Sequence, residues 1–362
     1  MKYYPRLFTC LFAASIAILL PACSGGDGSA DAPALSPAGT IIRVPEDILT
    51  ISAAISAADS GDTVLVSAGT HSETGTINIA KDLVLASTFI NTENPNDIFN
   101  TVIKGDGTND LFVVTSGAIV RIEGLIIENT RKPITIDVGN GIIRENIFKD
   151  NTSDSISFEG DSSGIAELNK IINSGDDGID IDGLRGPYTI RGNTIIGSSD
   201  DGMEFRMINS YLVTKTIKYN IHENIIDGSG GDGIQLIDYP EDNLNLREIN
   251  IHHNYIKNTM FAGVGTMPDT KTIRTNLPEI YPKVPFKEIV FVTNNTFTNN
   301  DNGISGGENF IVINNIIAYN RLAVTNIYGN SIIDYTMFFD NSLIDLPLIV
   351  QGDSIYFNNP IL

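Results

Sequence analysis

The segments SGDDGIDIDG from Ser174, SSDDGMEFRM from Ser198 and GSGGDGIQLID from Gly228 fall into register with one another. Each begins in a turn of small residues, reaches Asp-Gly, and then alternates apolar and polar residues as a half-buried strand does. An asparagine with a short apolar run after it stands eight residues before each aspartate, and the same offset occurs one repeat earlier: Asn146 and Asp154, Asn169 and Asp177, Asn193 and Asp201, Asn224 and Asp232. A fixed internal spacing with a variable remainder predicts stacked coils.

These asparagines continue as a column along the chain, and Gly124 takes the equivalent place in an earlier coil. The members are Asn146, Asn169, Asn193, Asn224, Asn254, Asn295, Asn315 and Asn330, with steps of 23, 24, 31, 30, 41, 20 and 15 residues. The shorter steps fit single coils of three short strands, and the longer steps fit coils with inserted loops. We expect these asparagines to adopt the left-handed turn conformation and to hydrogen-bond from coil to coil.

Residues 48–58 place Ile48, Ile51, Ile55 and Ala58 on one helical face, and the strand Thr63–Val66 follows a Gly-Asp turn. This order resembles the N-terminal cap of secreted right-handed parallel β-helices. The repeating coil resembles the pectate-lyase-like superfamily over residues 41–362. The resemblance implies an all-β fold, a single-stranded right-handed parallel β-helix of three-strand coils with an N-terminal capping helix. Function does not follow, because this fold hosts lyases, hydrolases, epimerases and inert fibres.

The N-terminus has the pattern of an export signal. Residues 1–22 contain a short basic region and an apolar run that is too short to span a bilayer comfortably. The end of this segment looks like a bacterial lipoprotein cleavage box with Cys23 as the lipidated residue, which implies an exported protein held at the cell envelope, at the outer membrane in a Gram-negative host. An ordinary signal peptide with an incidental cysteine is the alternative. Residues 23–40 are small and rich in Gly, Pro and Ser, which predicts a flexible tether.

Cysteine usage and charge limit the chemistry. With Cys10 in the signal and Cys23 lipidated, no thiol remains for disulfides, thiolate metal sites or nucleophilic catalysis. The formal charge of −21 includes two basic and no acidic residues in the signal, so the mature chain carries −21 − 2 = −23. Such a charge disfavours nucleic acid and anionic membranes, leaving a lipid anchor as the membrane contact. We expect a monomer with an extended polysaccharide as its partner.

The alternation of apolar and polar residues along the strands indicates which side chains face outward. Asp180, Asp182, Glu204, Arg206 and Gln235 alternate with apolar residues that point into the core, so we expect them to line a groove. The turns before these strands stack further carboxylates, which are Asp154, Asp177, Asp201 and Asp232, with Asp176 and Asp200 beside them. Neighbouring strands lie about 4.8 Å apart, so these like charges are expected to raise one another's pKa.

Two interpretations of these aspartates stay open. In one, each Asp-Gly is a turn whose carboxylate caps backbone N–H groups. In the other, the oxygens bind a hard divalent ion, with calcium as the preferred candidate. The stretch from Asp176 to Asp180 resembles the calcium-binding segment of family-nine pectate lyases, and the next coil repeats it. The resemblance implies the metal ligands Asp154, Asp176, Asp177, Asp180, Asp200 and Asp201.

The same resemblance implies a lysine that abstracts the proton alpha to a uronate carboxyl whose charge calcium neutralises. Lys215 is the nearest counterpart, with Lys218 in reserve, although a solvated loop lysine is the plainer interpretation. Arg206 is suited to hold a substrate carboxylate. The remaining substrate-binding candidates lie on the groove strands or on the long insertions beside them, and are Asp182, Arg185, Glu204, Gln235, Tyr211 and Tyr239. His222, His252 and His253 flank the asparagine turn, away from the groove, and are interpreted as structural or surface residues.

Three functions remain. The preferred one is a calcium-assisted polysaccharide lyase that cleaves a uronate-containing glycan by β-elimination. A non-catalytic surface protein that binds a glycan or a cell-surface partner is the second. The third is a glycoside hydrolase, which needs two carboxylates about 5–9 Å apart, a condition that the abundant stacked carboxylates meet easily.

Overall fold

A computed structural model of the chain describes residues 39–208, 216–238, 247–268 and 288–342. The helices of this part of the chain are α1 (Ile51–Ala57), α2 (Phe89–Thr92) and α3 (Pro95–Asn100). The strands as far as the first long insertion are β1 (Ile41–Val44), β2 (Asp62–Val66), β3 (Gly69–Ser72), β4 (Ile77–Ile79), β5 (Leu83–Ser87), β6 (Thr101–Lys104), β7 (Phe112–Val114), β8 (Ala118–Glu123), β9 (Ile126–Glu128), β10 (Ile134–Arg144), β11 (Ile147–Asn151), β12 (Ile156–Glu167), β13 (Lys170–Ser174), β14 (Ile179–Ile181), β15 (Tyr188–Arg191), β16 (Thr194–Ile196) and β17 (Met203–Met207). The later strands are β18 (Ile217–His222), β19 (Ile225–Asp227), β20 (Ile234–Asp238), β21 (Arg247–His252), β22 (Tyr255–Lys257), β23 (Ala262–Pro268), β24 (Ile289–Thr293), β25 (Thr296–Thr298), β26 (Asn302–Ser305), β27 (Phe310–Ile313), β28 (Ile316–Ala318), β29 (Leu322–Thr325), β30 (Ile332–Asp334) and β31 (Met337–Phe339).

Every strand pairing within the described ranges is parallel and joins one coil to the next. The turn stack contains β3, β6, β9, β11, β13, β16, β19, β22, β25, β28 and β31. The groove stack runs through β14, β17, β20, β23, β26 and β29, and the back stack through β15, β18, β21, β24, β27 and β30. Strands β10 and β12 bend from the groove stack into the back stack. The chain therefore winds as a three-sided parallel coil, as its repeat predicts.

One continuous apolar core fills the interior. Inward residues of the groove stack, among them Ile179, Ile181, Met203 and Phe205, are buried as the alternation predicts. Burial of whole side chains of this size contributes about 1.5–3 kcal/mol each, so the columns stabilise the stacking of coils. These residues all belong to one compact unit. None of the helices in the described ranges is long and apolar enough to cross a membrane.

Helix α1 closes the N-terminal end, as the helical spacing of the apolar residues predicts. Thr50 caps the helix by accepting the N–H of Ala53 at 3.2 Å. The helix buries Ile51 and Ile55 against β1 and β2. The predicted strand Thr63–Val66 is not the first of the fold, because β1 precedes the helix and pairs with β2 from Ile41 onward.

The asparagine column is a hydrogen-bonded ladder, but the expected backbone conformation was wrong. The Asn193 amide oxygen accepts the N–H of Asn169 at 3.0 Å, and the Asn193 N–H is donated to Asn224 Oδ1 at 2.9 Å. The left-handed residue is the one before each ladder asparagine, such as Glu223 with φ of 59°. Gly124, with φ of 72°, occupies this left-handed place and not the ladder position itself.

The predicted column also ends one member too late. Asn330 is exposed, and its side chain approaches Asn309 at 3.4 Å outside the ladder. The buried Thr336 takes the ladder place after Asn315, and its hydroxyl donates to the carbonyl oxygen of Asp334 at 3.0 Å. The short apolar run after Asn330 imitates the repeat, although the true step from Asn315 is 336 − 315 = 21 residues.

Candidate active site on the groove stack

Three polar side chains stand side by side on the outer face of β14, β17 and β20. Asp180, Glu204 and Gln235 are direct register partners, and the residues on either side of each point into the core. They are nevertheless only 4%, 6% and 2% exposed. Carboxyl groups in such surroundings lose most of their hydration, which makes their charged form costly.

The turn aspartates that precede these strands form a ladder of their own. Asp154 Oδ1 accepts the N–H of Asp177 at 3.1 Å, and Asp177 Oδ1 accepts that of Asp201 at 2.8 Å. Asp201 Oδ1 accepts the N–H of Asp232, and Asp232 Oδ1 accepts that of Ala262 at 2.8 Å. These bonds establish the architectural role of the Asp-Gly turns, and they leave the second oxygen of each carboxylate for other contacts.

In the part of the chain that the structure describes, neither Asp180 nor Glu204 accepts such a backbone N–H. The only polar contact of the Asp180 carboxylate within the described residues is Arg206 Nη1, 3.9 Å from Oδ1. Glu204 Oε1 forms a close ion pair with Arg206 Nη2. Hydrogen bonding within the turns therefore explains the stacked aspartates that include Asp177. It does not explain the outward row that includes Asp180.

Two cations border the carboxylates. Arg206 Nη1 lies 2.8 Å from Asp182 Oδ2, in addition to its contacts with Asp180 and Glu204. Lys132 Nζ lies 3.0 Å from Asp154 Oδ2 and 2.7 Å from Glu159 Oε1. Sequence reasoning missed Lys132 and Glu159. Because Ile134 pairs with Ile156, the step of 154 − 132 = 22 residues places Lys132 beside Asp154, and that spacing was the signal.

The expected mutual effect on the pKa of these groups is present. Burial, and then Asp201 and Glu204, raise the pKa of Asp177 well above its usual value. Burial and then the charge of Asp182 do the same to Asp180. Burial raises the pKa of Glu204 to about 7, against the opposing effect of Arg206. The exposed Asp176 also has a raised pKa, from partial burial and from Asp154.

Three carboxylate groups bring oxygens within 4.8 Å of one another: Asp154 with Asp176 and Asp177, Asp177 with Asp200 and Asp201, and Asp177 with Asp180 and Glu204. Calcium binds oxygens at 2.3–2.6 Å, so ligands on opposite sides of the ion stand about 4.8 Å apart. The donor set therefore fits calcium in size and in chemistry. The unbonded Oδ1 of Asp180 adds an oxygen that no protein donor satisfies within the described residues.

The structure brings most of the sequence-predicted site residues together, but not all. Arg185 is largely exposed and pairs with Asp161 at 3.5 Å. Lys218 pairs at 3.6 Å with Glu248 on the back stack, away from the carboxylates. Lys215, Tyr211 and Tyr239 lie outside the described residues. Strands β17, β20 and β23 all lead into the long insertions at the same edge of the groove stack.

Comparison with known proteins gives one family and several solved structures. The model of the family described as "Right handed beta helix region" matches residues 88–277. The catalytic unit of a thermostable GH87 alpha-1,3-glucanase from Streptomyces thermodiastaticus is similar at a TM-score of 0.55 and 13% identity, with 85% of this chain and 66% of that chain covered. The family 28 exopolygalacturonase of Yersinia enterocolitica is similar at 0.54 and 11%, with 88% and 78% covered. No curated protein sequence matches the chain. At these identities the likeness concerns the fold alone.

Proposed function

The chain belongs to the right-handed β-helix family, which confirms the predicted fold, and we propose that it is a glycoside hydrolase acting on an extended polysaccharide. The observation that carries the proposal is the Asp180–Glu204 pair. These carboxyl groups lie on adjacent strands with oxygens within 4.8 Å, and their pKa values are raised. Hydrolysis of a glycosidic bond uses two carboxyl groups that flank the bond.

The different surroundings of Asp180 and Glu204 indicate which of the two acts as the general acid. Asp180 has a pKa that burial and the charge of Asp182 raise well above its usual value, and Arg206 Nη1 lies 3.9 Å from its Oδ1. Asp180 serves as the general acid that protonates the glycosidic oxygen. Glu204 is in close contact with Arg206 and ionises near pH 7. Its carboxylate serves as the partner that activates water or attacks the anomeric carbon.

The surrounding residues hold this pair in place. Arg206 spans Asp182 and Glu204, so it fixes the carboxylate of Glu204 while its own charge lowers the cost of ionisation. Gln235 extends the same outward row by one coil and supplies an amide for a sugar hydroxyl. The neighbouring solved structures with TM-scores above 0.5 include a glucanase and a polygalacturonase, which supports a polysaccharide as substrate.

A calcium-assisted lyase is the second candidate, favoured by the carboxylate groups whose spacing fits the ion. Asp177, Asp200 and Asp201 would hold calcium, since Lys132 already neutralises Asp154. Bound calcium would supply the positive charge that makes the proton alpha to a uronate carboxyl removable. Lys132 is not the base, because its contacts with Glu159 and Asp154 raise its pKa and keep it protonated. Lys215 remains the proposed base.

One assay separates these functions. The full chain is incubated with alpha-1,3-glucan, polygalacturonate, alginate and glycosaminoglycans, with calcium or with a chelator. New reducing ends without unsaturated-uronate absorbance support the hydrolase, and calcium-dependent absorbance supports the lyase. If a folded protein yields neither product on any substrate, both enzymatic proposals fail. Glycan retention on the same substrates would then favour the non-catalytic binding protein.

We also propose that the protein is exported and held at the cell envelope by lipid on Cys23, as a monomer. The support is the apolar run and cleavage box in residues 1–23. Replacing Cys23 with serine is expected to move the protein from the detergent phase to the aqueous phase in phase partitioning. Equal partitioning of both forms would contradict lipidation.

A further inference from the structure

Three of the four histidines of the chain meet at the corner between the back stack and the turn stack. His222 and His252 end β18 and β21, and they are direct register partners. Their rings stack with centroids 4.7 Å apart and an interplanar angle of 6°. His253 follows in the left-handed turn position, with φ of 58°. This corner differs from the groove face that carries Asp180 and Glu204.

Two ring nitrogens of this cluster approach each other closely. His252 Nδ1 and His253 Nδ1 are 2.9 Å apart, with the two rings nearly perpendicular at 86°. Two imidazole nitrogens bound to one ion at 2.0–2.1 Å, at angles between square and tetrahedral, stand about 2.9–3.4 Å apart. The observed separation falls in that range, and an N–H···N hydrogen bond is the alternative explanation.

We propose that His252 and His253 bind a divalent transition-metal ion such as Zn²⁺, Ni²⁺ or Cu²⁺ through their Nδ1 atoms. Imidazole nitrogen suits these ions, whereas the carboxylates of the groove suit calcium. Glu223 supplies a carboxylate at the same corner, 67% exposed, with Oε2 3.5 Å from His222 Nδ1. It offers a negative charge to a dication and the freedom to turn toward it.

The repeat itself supplies variants that are suited to the fold. Asn294 and Asn314 occupy the left-handed position of His253 in the next two coils, and Thr293 is the register partner of His252. His253→Asn and His252→Thr therefore remove ligands and introduce residues that already occupy the equivalent positions of neighbouring coils. His71→Asn is the matched control, since the fourth histidine lies near the N-terminal end and contacts the carbonyl oxygen of Ser67 at 2.9 Å.

The experiment titrates the full chain, without an affinity tag, with Cu²⁺ and Ni²⁺ in excess calcium, which competes at the carboxylates. We expect about one equivalent bound, with nitrogen hyperfine structure in the Cu²⁺ electron paramagnetic resonance spectrum. His253→Asn and His252→Thr should each weaken binding at least tenfold, roughly the least that loss of an outer-shell partner costs. His71→Asn should bind as the wild type does. Unchanged affinity in the two variants, or a Cu²⁺ spectrum of oxygen ligands alone, would overturn the proposal.

Discussion

Arg247 and Glu288 form a buried ion pair between adjacent coils, with 2.9 Å between Nη1 and Oε1 and side chains that are 0% and 5% exposed. Arg247 Nη2 also donates to the carbonyl oxygens of Met207 and Ile208, at 2.9 and 2.8 Å. These positions border the three long insertions at the edge of the groove stack. One guanidinium therefore joins the bases of all three insertions.

Replacing Arg247 with methionine is expected to lower the free energy of unfolding by about 3–5 kcal/mol, because Glu288 is left as a buried charge without a cation. The double variant Arg247→Met with Glu288→Leu should regain most of this loss, since it buries no charge. Denaturant unfolding measures both. Lys218→Met is the control on the neighbouring strand, where the half-exposed pair with Glu248 at 3.6 Å should contribute less than about 1 kcal/mol. Equal effects of Arg247→Met and Lys218→Met would contradict this account.

The groove carboxyls predict an unusual dependence of stability on pH. Burial raises the pKa of Glu204 from 4.5 to about 7, so its stabilising contribution is complete below 4.5 and is lost as the pH rises through 7. The difference between these two pKa values corresponds to about 3 kcal/mol of unfolding free energy. The free energy of unfolding should therefore fall between pH 5 and pH 8 in calcium-free buffer. Glu204→Gln, which matches the register partner Gln235, should flatten this fall; a wild-type stability that rises toward pH 8 would refute the prediction.

Calcium should reverse part of that destabilisation. When ionised, the carboxylates of Asp177, Asp200 and Asp201 repel one another, and a bound cation relieves the repulsion. A ligand at one hundred times its Kd stabilises by about 2.7 kcal/mol, so the melting temperature should rise with calcium at pH 8. Asp177→Asn should reduce this rise, whereas Asp334→Asn, at the end of β30, should not. If calcium leaves the wild-type melting temperature unchanged, the carboxylates hold protons and no calcium.

The proposed reaction makes Asp180 and Glu204 separately essential. On a substrate that the assay identifies, Asp180→Asn and Glu204→Gln should each lower kcat by at least about 10²-fold, the contribution of general acid–base catalysis. Glycan binding should persist, because neither change alters the shape of the groove. Asp161→Asn, at an exposed carboxylate paired with Arg185, is the control. Activity that survives both variants would place the reaction elsewhere on the molecule.

The fold was predictable because each coil repeats the same sequence pattern. Alternation around Ile179 and Met203 specified which face is buried, and the Asp-Gly offset specified the register that pairs Asp180 with Glu204. Once the register is known, side-chain neighbours on adjacent coils follow from sequence arithmetic. The same arithmetic would have placed Lys132 beside Asp154.

Contacts that depend on insertions were not predictable in this way. Arg247 stands at the end of a predicted loop, and nothing in its neighbours indicates that it is buried. Its partner Glu288 is 41 residues away in sequence, across an insertion whose length hides the register. The burial of Asp180 and Glu204 was also missed, because alternation distinguishes inward from outward but does not measure exposure.

The asparagine ladder gives the sharpest test of the corrected register. Asn193 Nδ2 donates to the carbonyl oxygen of Ala166 at 2.8 Å, and its Oδ1 accepts the N–H of Asn169 at 3.0 Å. Asn193→Ala leaves both backbone groups buried without their partner, which should cost about 3 kcal/mol of unfolding free energy. Asn330→Ala, at the exposed asparagine that the sequence pattern had placed in the ladder, should change stability by less than about 0.5 kcal/mol. Urea unfolding of the two variants decides the register, since a ladder that included Asn330 would make both substitutions costly.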